Sequence, residues 1–175
     1  LPTIAIQDHL STSARDIQVV EYSLGTERLV IINGHFKSKG GGGEELRIAE
    51  AKAVKARIAS EKEKNAKTHF IVLGDLNSAY YEEPMVAMGA TGDERAMLGN
   101  QTAQLYNLWY ELPLEERWEN SFSGARGTLS QMLVSDSLYW EYGLSYEDQS
   151  FTVVGHSGAA ARTLLNVDGT PLRWQ

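Results

Sequence analysis

The chain has 175 residues, 42% of them hydrophobic, a formal net charge of −7 and no cysteine. This length fits one domain with its own hydrophobic core, and the absence of cysteine excludes disulfides and thiolate metal sites. The acidic balance argues against a non-specific nucleic-acid binder, which needs a broad basic face, but not against an enzyme that neutralises a phosphate locally. No apolar run approaches the roughly 18 residues that a membrane-spanning helix requires, so no membrane span is predicted. Because the chain begins with Leu1 rather than methionine, we expect it to be a processed or excised piece.

The first half of the chain predicts a β-hairpin followed by a long helix. Residues 17–24 and 28–36 are rich in β-branched and aromatic residues, and Gly25-Thr26 between them predicts the hairpin turn. After a glycine run at residues 40–43, residues 44 to about 64 predict a helix, because apolar positions recur there at helical spacing. The residues that would form its buried face are Arg47, Ala51, Val54 and Ile58.

Shorter elements are predicted in the second half of the chain. The run from Phe70 to Leu73 is continuously apolar, which predicts a short buried strand that ends at Gly74. Composition and turn residues predict two helices, at residues 82–90 and 102–112, and three strands, at residues 118–122, 129–134 and 150–154. Strands that alternate with helices, with no linker between them, predict a mixed α/β fold in a single domain over residues 1–175.

Two polar side chains follow the buried strand directly. Asp75 and Asn77 come after Gly74, at the carboxyl end of a parallel-type strand, where open α/β sheets bind their ligands. Aspartate can accept a proton or hold a metal, and asparagine can donate to a phosphate oxygen without adding negative charge. The alternative is that glycine, aspartate and asparagine serve only the backbone of a strand-to-loop turn, as they do in many proteins.

A second polar cluster ends the strand at residues 28–36. His35 is followed by Lys37 and Ser38, and the next helix carries Arg47 in its first turns. A lone histidine is usually structural, although this one lies at a strand end next to basic residues. Arg47 either joins a phosphate-facing rim with Lys37 and Ser38 or forms a buried ion pair, since it also lies on the buried face of the helix.

Two further features each allow more than one interpretation. Tyr80, just beyond Asn77, can stack on a base or a sugar, but tyrosines at strand exits commonly serve packing. The Gly40–Gly43 run is not a phosphate-binding P-loop, because the Gly-Lys-Ser/Thr that should follow is not there. A flexible loop on the substrate side is predicted instead.

Taken together, these features resemble the endonuclease/exonuclease/phosphatase superfamily, whose fold is deoxyribonuclease I-like. The resemblance runs from about residue 17 to residue 140, with a looser tail to residue 173. It is carried, in chain order, by a strand before His35, Lys37 and Ser38, a helix with Arg47, a strand before Gly74-Asp75-Leu76-Asn77, and a strand that ends in Leu133-Val134-Ser135. It implies an α/β fold of two packed β-sheets with outer helices and an active site at one edge.

The resemblance also implies roles for the residues at that edge. His35 would contact the scissile phosphate, Asp75 would deprotonate the attacking water, and Asn77 would position the water or the phosphate. Asp75 and Asn77 would also face a divalent cation, Mg²⁺ or else Mn²⁺ or Ca²⁺. The residues that would bind the substrate are Lys37, Ser38, Arg47 and Tyr80. The predicted partner is a nucleic acid or another phosphoester.

The chain departs from the family pattern in three ways. No metal-binding glutamate on a strand precedes the hairpin of residues 17–36, and no Ser-Asp-His triplet closes the chain. Ser130 stands where the family usually has an aspartate that orients the closing histidine. We therefore expect an incomplete, central-to-C-terminal portion of the domain that binds a metal weakly or not at all.

These departures leave two functions open. One is a metal-dependent phosphoesterase, foremost a nuclease that hydrolyses phosphodiesters with a water activated by Asp75. If this chain alone is inactive, such an enzyme would act together with a complementary fragment of the same protein. The other is a catalytically decayed family member that acts as a binding or scaffold protein, since a fold does not guarantee activity. The resemblance slightly favours a secreted or periplasmic location.

Overall fold

The computed structural model of the chain describes residues 3–10, 12, 15–93, 105–139, 143–154 and 166. Nine strands lie in these ranges: β1 (Thr3–Leu10), β2 (Ile17–Leu24), β3 (Glu27–His35), β4 (His69–Asp75), β5 (Ala90–Thr91), β6 (Leu105–Asn107), β7 (Asn120–Phe122), β8 (Ala125–Gly127) and β9 (Ser130–Ser135). The α-helices are α1 (Glu44–Lys64) and α2 (Glu83–Met88), and short 3₁₀ helices cover Leu108–Glu111, Leu114–Glu116 and Asp136–Tyr139. Among the described helices, none combines the length and the apolar character that crossing a membrane requires.

Seven strands form one mixed sheet in the order β1-β2-β3-β4-β9-β6-β5, and β7 and β8 form a separate hairpin. The pair β3–β4 is parallel, while β4–β9 is antiparallel. A parallel pair needs a long crossover, and α1 provides it. Because β3 and β4 run in the same direction and β9 runs against them, the ends of β3 and β4 and the start of β9 share one edge of the sheet. This edge carries His35, Asp75 and Ser130.

The main core lies between one face of the sheet and the two helices. Alternate residues of β3 and β4 point into it, as the two-residue period of a strand requires, and so does one stripe of α1. The fully buried residues of these three elements include Val30, Ile32, Phe70, Val72, Ala51, Val54 and Ile58. The buried helix face predicted from the sequence, Arg47 included, is therefore confirmed.

A second, smaller cluster lies on the other face of the sheet. It consists of Tyr106, Leu108, Val134 and Leu138, with partly buried residues such as Ile71 packed against it. The sheet is thus apolar on both faces. This pattern and the outer helices agree with the deoxyribonuclease I-like α/β fold that the sequence predicts.

Most predicted elements agree with the structure, but one predicted helix and one predicted strand do not, and three further strands were not predicted. The helix predicted at 102–112 is wrong where it is described, because residues 105–107 pair with β9 and the Asn107 side chain accepts a hydrogen bond from the Trp109 amide (3.1 Å), which starts a 3₁₀ turn. Residues 150–154 form no strand, and none of the described strands pairs with them. Three further strands were not predicted: β1, which pairs with β2, and the short strands β5 and β8.

Candidate active site

The two strands that end in polar residues are neighbours, as predicted, and they place His35 beside Asp75. The two residues are directly opposite in the parallel register of β3 and β4. Their side chains are half-exposed, and the distance from Nε2 of His35 to Oδ2 of Asp75 is 3.8 Å. This separation is too long for a hydrogen bond but suits an ion pair when the imidazole is protonated. Both side chains are exposed enough to contact one bound group.

A pair of glycines allows the strands to approach each other just before these residues. Gly34 and Gly74 are opposite in the register. Gly74 has φ +127°, and a Cβ added there would overlap the carbonyl oxygen of Gly34. Glycine is therefore required at position 74 for backbone reasons. This accounts for the glycine of the Gly-Asp-x-Asn pattern without any functional role.

Asp75 and Asn77 form a tight turn at the end of β4. The amide N–H of Asn77 donates to Oδ1 of Asp75 (3.0 Å), and Asn77 adopts a left-handed conformation with φ 49°. Its side-chain Nδ2 donates to the carbonyl oxygen of Phe36 (3.0 Å), the first residue after β3. The turn thus orients the Asp75 carboxylate, leaving Oδ2 facing His35. Asn77 is buried, and one of its two amide hydrogens serves the fold.

The loop that carries Lys37 and Ser38 is held by two buried residues of α1. Nη1 of Arg47 donates to the carbonyl oxygens of Lys37 (3.3 Å) and Ser38 (3.2 Å). The amide of Lys37 donates to Oε2 of Glu50 (2.9 Å), one helical turn further on. Arg47 therefore contacts backbone carbonyls, which is neither the phosphate-facing rim nor the buried ion pair that the sequence suggested. Its role in substrate binding stays a prediction.

A second arginine reaches the end of β3 from the β1–β2 connection. Nη1 of Arg15 donates to the carbonyl oxygens of His35 (3.3 Å) and Phe36 (3.1 Å). The amide of Phe36 donates to the carbonyl oxygen of Asp75 (3.0 Å), which joins the two strand ends. Sequence reasoning missed Arg15 and Glu50. Glu50 was detectable as a neighbour of Arg47 on the buried helix face, whereas Arg15 carries no local signal.

The start of β9 forms the third side of the site. Ser130 is opposite Asp75 in the antiparallel register and is exposed. Its amide donates to Oε1 of Glu119 (2.7 Å), and its carbonyl oxygen accepts from Nε1 of Trp109 (2.8 Å). The side chain of Gln131 donates to the carbonyl oxygen of Ser78 (2.7 Å), just after the Asp75–Asn77 turn. Sequence reasoning identified Ser130 but not the residues that hold its backbone.

Tyr80 lies in an aromatic cluster next to this edge. Its ring makes edge-to-face contacts with Tyr81 and Tyr110, each at 5.0 Å between centroids. The guanidinium of Arg117 stands 5.3 Å from the Tyr80 ring centroid. These contacts match the packing alternative for Tyr80, and its contact with a substrate stays a prediction.

The described residues do not supply a complete metal site. No group of three or more histidine, aspartate or glutamate side chains within them can hold an ion. At the edge, Asp75 has a half-exposed carboxylate beside His35, whereas the carboxylates of Glu50 and Glu119 accept hydrogen bonds from backbone amides. Mg²⁺ prefers oxygen ligands from one or more carboxylates in octahedral geometry, with substrate oxygens and water completing the set. Asp75 can therefore contribute a ligand but cannot hold the ion firmly by itself.

A mixed sheet with outer helices, whose adjacent parallel strands end in a histidine and an aspartate, agrees with the deoxyribonuclease I-like class of α/β proteins. Residues 3–164 match the model of the Endonuclease/Exonuclease/phosphatase family. The chain therefore belongs to this family. The family is part of a superfamily of phosphoesterases and nucleases.

Solved structures with the same fold agree with this assignment. Truncated Caenorhabditis elegans TDP2 matches with a TM-score of 0.58 at 14% identity, over 78% of this chain and 55% of that one. The human nocturnin catalytic domain with bound sulfate matches with a TM-score of 0.55 at 17% identity, over 77% and 48% of the two chains. A mannosyl-6-phosphatase from Bacteroides thetaiotaomicron matches with a TM-score of 0.52 at 13% identity, over 77% and 53%.

The chain spans about half the length of these solved structures. At such low identity the likeness concerns the fold alone. Comparison with curated protein sequences finds no match.

Proposed function

We propose that the chain carries the catalytic edge of a divalent-metal-dependent phosphoesterase that acts on phosphodiesters, as a nuclease does. The observation that supports this most is the 3.8 Å approach of His35 Nε2 and Asp75 Oδ2 at a sheet edge in a member of this family. One group can accept a proton and the other can donate one, and both are half-exposed to a ligand.

Asp75 is the general base in this proposal. Its Oδ1 accepts a hydrogen bond from the Asn77 amide, and its Oδ2, which faces His35, takes a proton from the attacking water. A positioned base of this kind contributes roughly 10²–10⁴-fold to the rate. The water oxygen then forms a bond to phosphorus while the bond to the leaving oxygen breaks. His35 donates a hydrogen bond to a phosphate oxygen from the neighbouring strand.

The divalent metal in this proposal is inferred from the family rather than from a described ion site. Members of the family generally use divalent metals, and the half-exposed carboxylate that Mg²⁺ would meet beside His35 is that of Asp75. Binding of Mg²⁺ by the chain as given is therefore expected to be weak, and a full site requires ligands beyond the described residues.

The test is the substitution Asp75→Asn, which keeps the shape of the side chain but removes the base. Hydrolysis of bis(p-nitrophenyl) phosphate with Mg²⁺ or Mn²⁺ should fall by about 10²–10⁴-fold, with an unchanged circular dichroism spectrum. Asp148→Asn, at an exposed loop position, is the matched control and should keep the wild-type rate. Equal rates for Asp75→Asn and wild type would rule out Asp75 as the base.

A second candidate function is binding without catalysis. Ser130 favours it, because an exposed hydroxyl stands opposite Asp75 where the family resemblance implies an aspartate. Serine cannot hold an imidazolium by charge. If the chain is a decayed enzyme, neither wild type nor Ser130→Asp will hydrolyse the phosphodiester. A gain of metal-dependent activity in Ser130→Asp would favour the hydrolase.

A further inference from the structure

A cavity of about 330 Å³ adjoins the candidate active site. It lies between the segment that follows the Asp75–Asn77 turn and the β7–β8 hairpin. Its lining residues are Ala79, Tyr80, Tyr81, Leu114, Glu115, Arg117, Trp118, Arg126, Gly127 and Thr128. Two segments that lead away from the catalytic edge thus form its walls: residues 79–81 follow Asn77, and residues 127–128 precede Ser130. The amide of Tyr80 joins these walls by donating to Oγ1 of Thr128 (3.3 Å).

The cavity combines positive charge with aromatic rings. Within the part of the chain that the structure describes, neither Arg117 nor Arg126 forms an ion pair with a carboxylate, and Glu115 is the one acidic residue of the lining. By contrast, Arg28 and Lys39 each pair with a glutamate. In a chain with a net charge of −7, two guanidinium groups against one carboxylate leave this cavity locally positive, which favours an anionic ligand.

The two arginines differ in how they are held. Arg117 is fixed, since its Nε and Nη2 donate to the carbonyl oxygens of Leu112 (2.7 Å) and Tyr110 (3.2 Å). Arg126 is exposed, and its guanidinium stands 4.2 Å from the centroid of the Trp118 ring. Stacking on the ring orients the guanidinium while leaving its edge N–H donors available to a ligand. Arg126 is therefore the group that is best placed to grip an anion.

The remaining wall is apolar and open to solvent. Tyr81 is 67% exposed and Leu114 72% exposed, so both side chains present apolar surface at the same cavity. The Tyr81 ring offers a flat surface on which a planar ring can stack, and such stacking on a base is worth about 1–3 kcal/mol in other proteins. The size of the cavity is at the lower end of that found for small-molecule sites, about 300–1,000 Å³.

We propose that this cavity is a subsite for a nucleotide unit, in which the phosphate lies against Arg126 and Arg117 and the base stacks on Tyr81. The inference rests on the proposed function, because the nucleotide would be the part of the substrate that flanks the scissile phosphate. It assigns the specificity of the site to a phosphate next to a planar ring. A simple phosphoester without that ring would be bound less tightly.

The test measures equilibrium binding by intrinsic fluorescence, so it requires no turnover. Adenosine monophosphate should bind at least 10-fold more tightly than adenosine or inorganic phosphate, because only it uses both the arginines and the ring. Arg126→Gln should weaken its binding about 10-fold, and Arg126→Lys less than that, since lysine keeps the charge but not the planar fork. Tyr81→Leu should weaken binding of adenosine monophosphate without changing that of phosphate. Lys55→Gln, on the exposed side of α1, is the control that removes the same charge elsewhere.

The same titrations distinguish a free nucleotide from a nucleotide within a strand. Tighter binding of a thymidine tetranucleotide than of the mononucleotide would support a subsite for a strand, and the reverse order a site for the free nucleotide. Equal affinity of Arg126→Gln and wild type for both probes would overturn the proposal. If Arg126→Gln loses binding while Asp75→Asn keeps its hydrolysis rate, the subsite stands and the proposed base fails. If Arg126→Gln keeps its binding while Asp75→Asn loses hydrolysis, the proposed base stands and the subsite fails.

Discussion

The glycine before Asp75 provides the sharpest test of how the candidate active site is built. In Gly74→Ala the new Cβ would lie closer to the carbonyl oxygen of Gly34 than the 3.0 Å that real Cβ atoms respect. The residue would also have to keep φ +127°, a conformation that L side chains rarely adopt. Both costs fall on the backbone of paired strands, where a side-chain rotation cannot relieve them.

The magnitude can be worked out from these two terms. A residue held in a disfavoured backbone region costs of order 1–3 kcal/mol, and overpacking in a well-packed interior typically costs about 1–3 kcal/mol more. We therefore expect Gly74→Ala to lower the free energy of unfolding by about 4 kcal/mol, a large part of the roughly 5–15 kcal/mol of a typical domain. Because relief of the overlap separates β3 from β4, His35 and Asp75 should also move apart, so phosphodiester hydrolysis should fall in the molecules that remain folded.

Two other glycines separate the contributions. Gly25 has φ +66° and Gly40 does not have a positive φ, and a Cβ added at either position meets nothing within 4 Å. Gly25→Ala should therefore cost about 1–2 kcal/mol for the left-handed backbone alone, and Gly40→Ala should be nearly neutral. Urea unfolding followed by circular dichroism gives all three values. A cost for Gly74→Ala no greater than that for Gly25→Ala would refute the argument that the two strands are in contact there.

Two further predictions concern the charged groups that support the sheet. The hydrogen bond from Arg28 lowers the pKa of Glu21. Burial raises the pKa of Glu61, but hydrogen bonds from Arg28 and Lys64 outweigh the burial and bring this pKa below 4.5. Both carboxylates therefore stabilise the fold above pH 4.5, and this contribution is lost as the pH falls through their depressed pKa values. Arg28→Gln should lower the free energy of unfolding by about 3 kcal/mol at pH 7, and urea unfolding should show a progressively smaller loss below pH 4. A loss that does not depend on pH would contradict the ion pairs of Arg28 with Glu21 and Glu61. Glu119→Ala removes the carboxylate that accepts a hydrogen bond from the Ser130 amide, so it should lower the free energy of unfolding by about 1–3 kcal/mol. The Ser130 amide should also exchange its hydrogen faster, and an unchanged exchange rate would show that Glu119 does not hold the start of β9.

Some helices and strands could be predicted from the sequence because their buried and exposed residues alternate over a few neighbouring positions. The alternation in β2 and β3, the apolar run of β4 and the stripe of α1 each repeat at the period of their own structure, so short-range spacing determines them. The segment at residues 105–107 is different. Its strand exists because β9 provides hydrogen-bond partners about 30 residues away, and no pattern within the segment records that neighbour.

The same division applies to the candidate active site. The sequence determined that His35 and Asp75 end two buried strands, because apolar runs and the glycine mark both ends. Only the tertiary structure decided that the strands are parallel neighbours, that the side chains stand 3.8 Å apart, and that Arg47 turns to the Lys37 and Ser38 carbonyls. These outcomes depend on which backbone groups need a partner after the chain has folded. That need arises from contacts between distant segments, so it leaves no trace in the spacing of neighbouring residues.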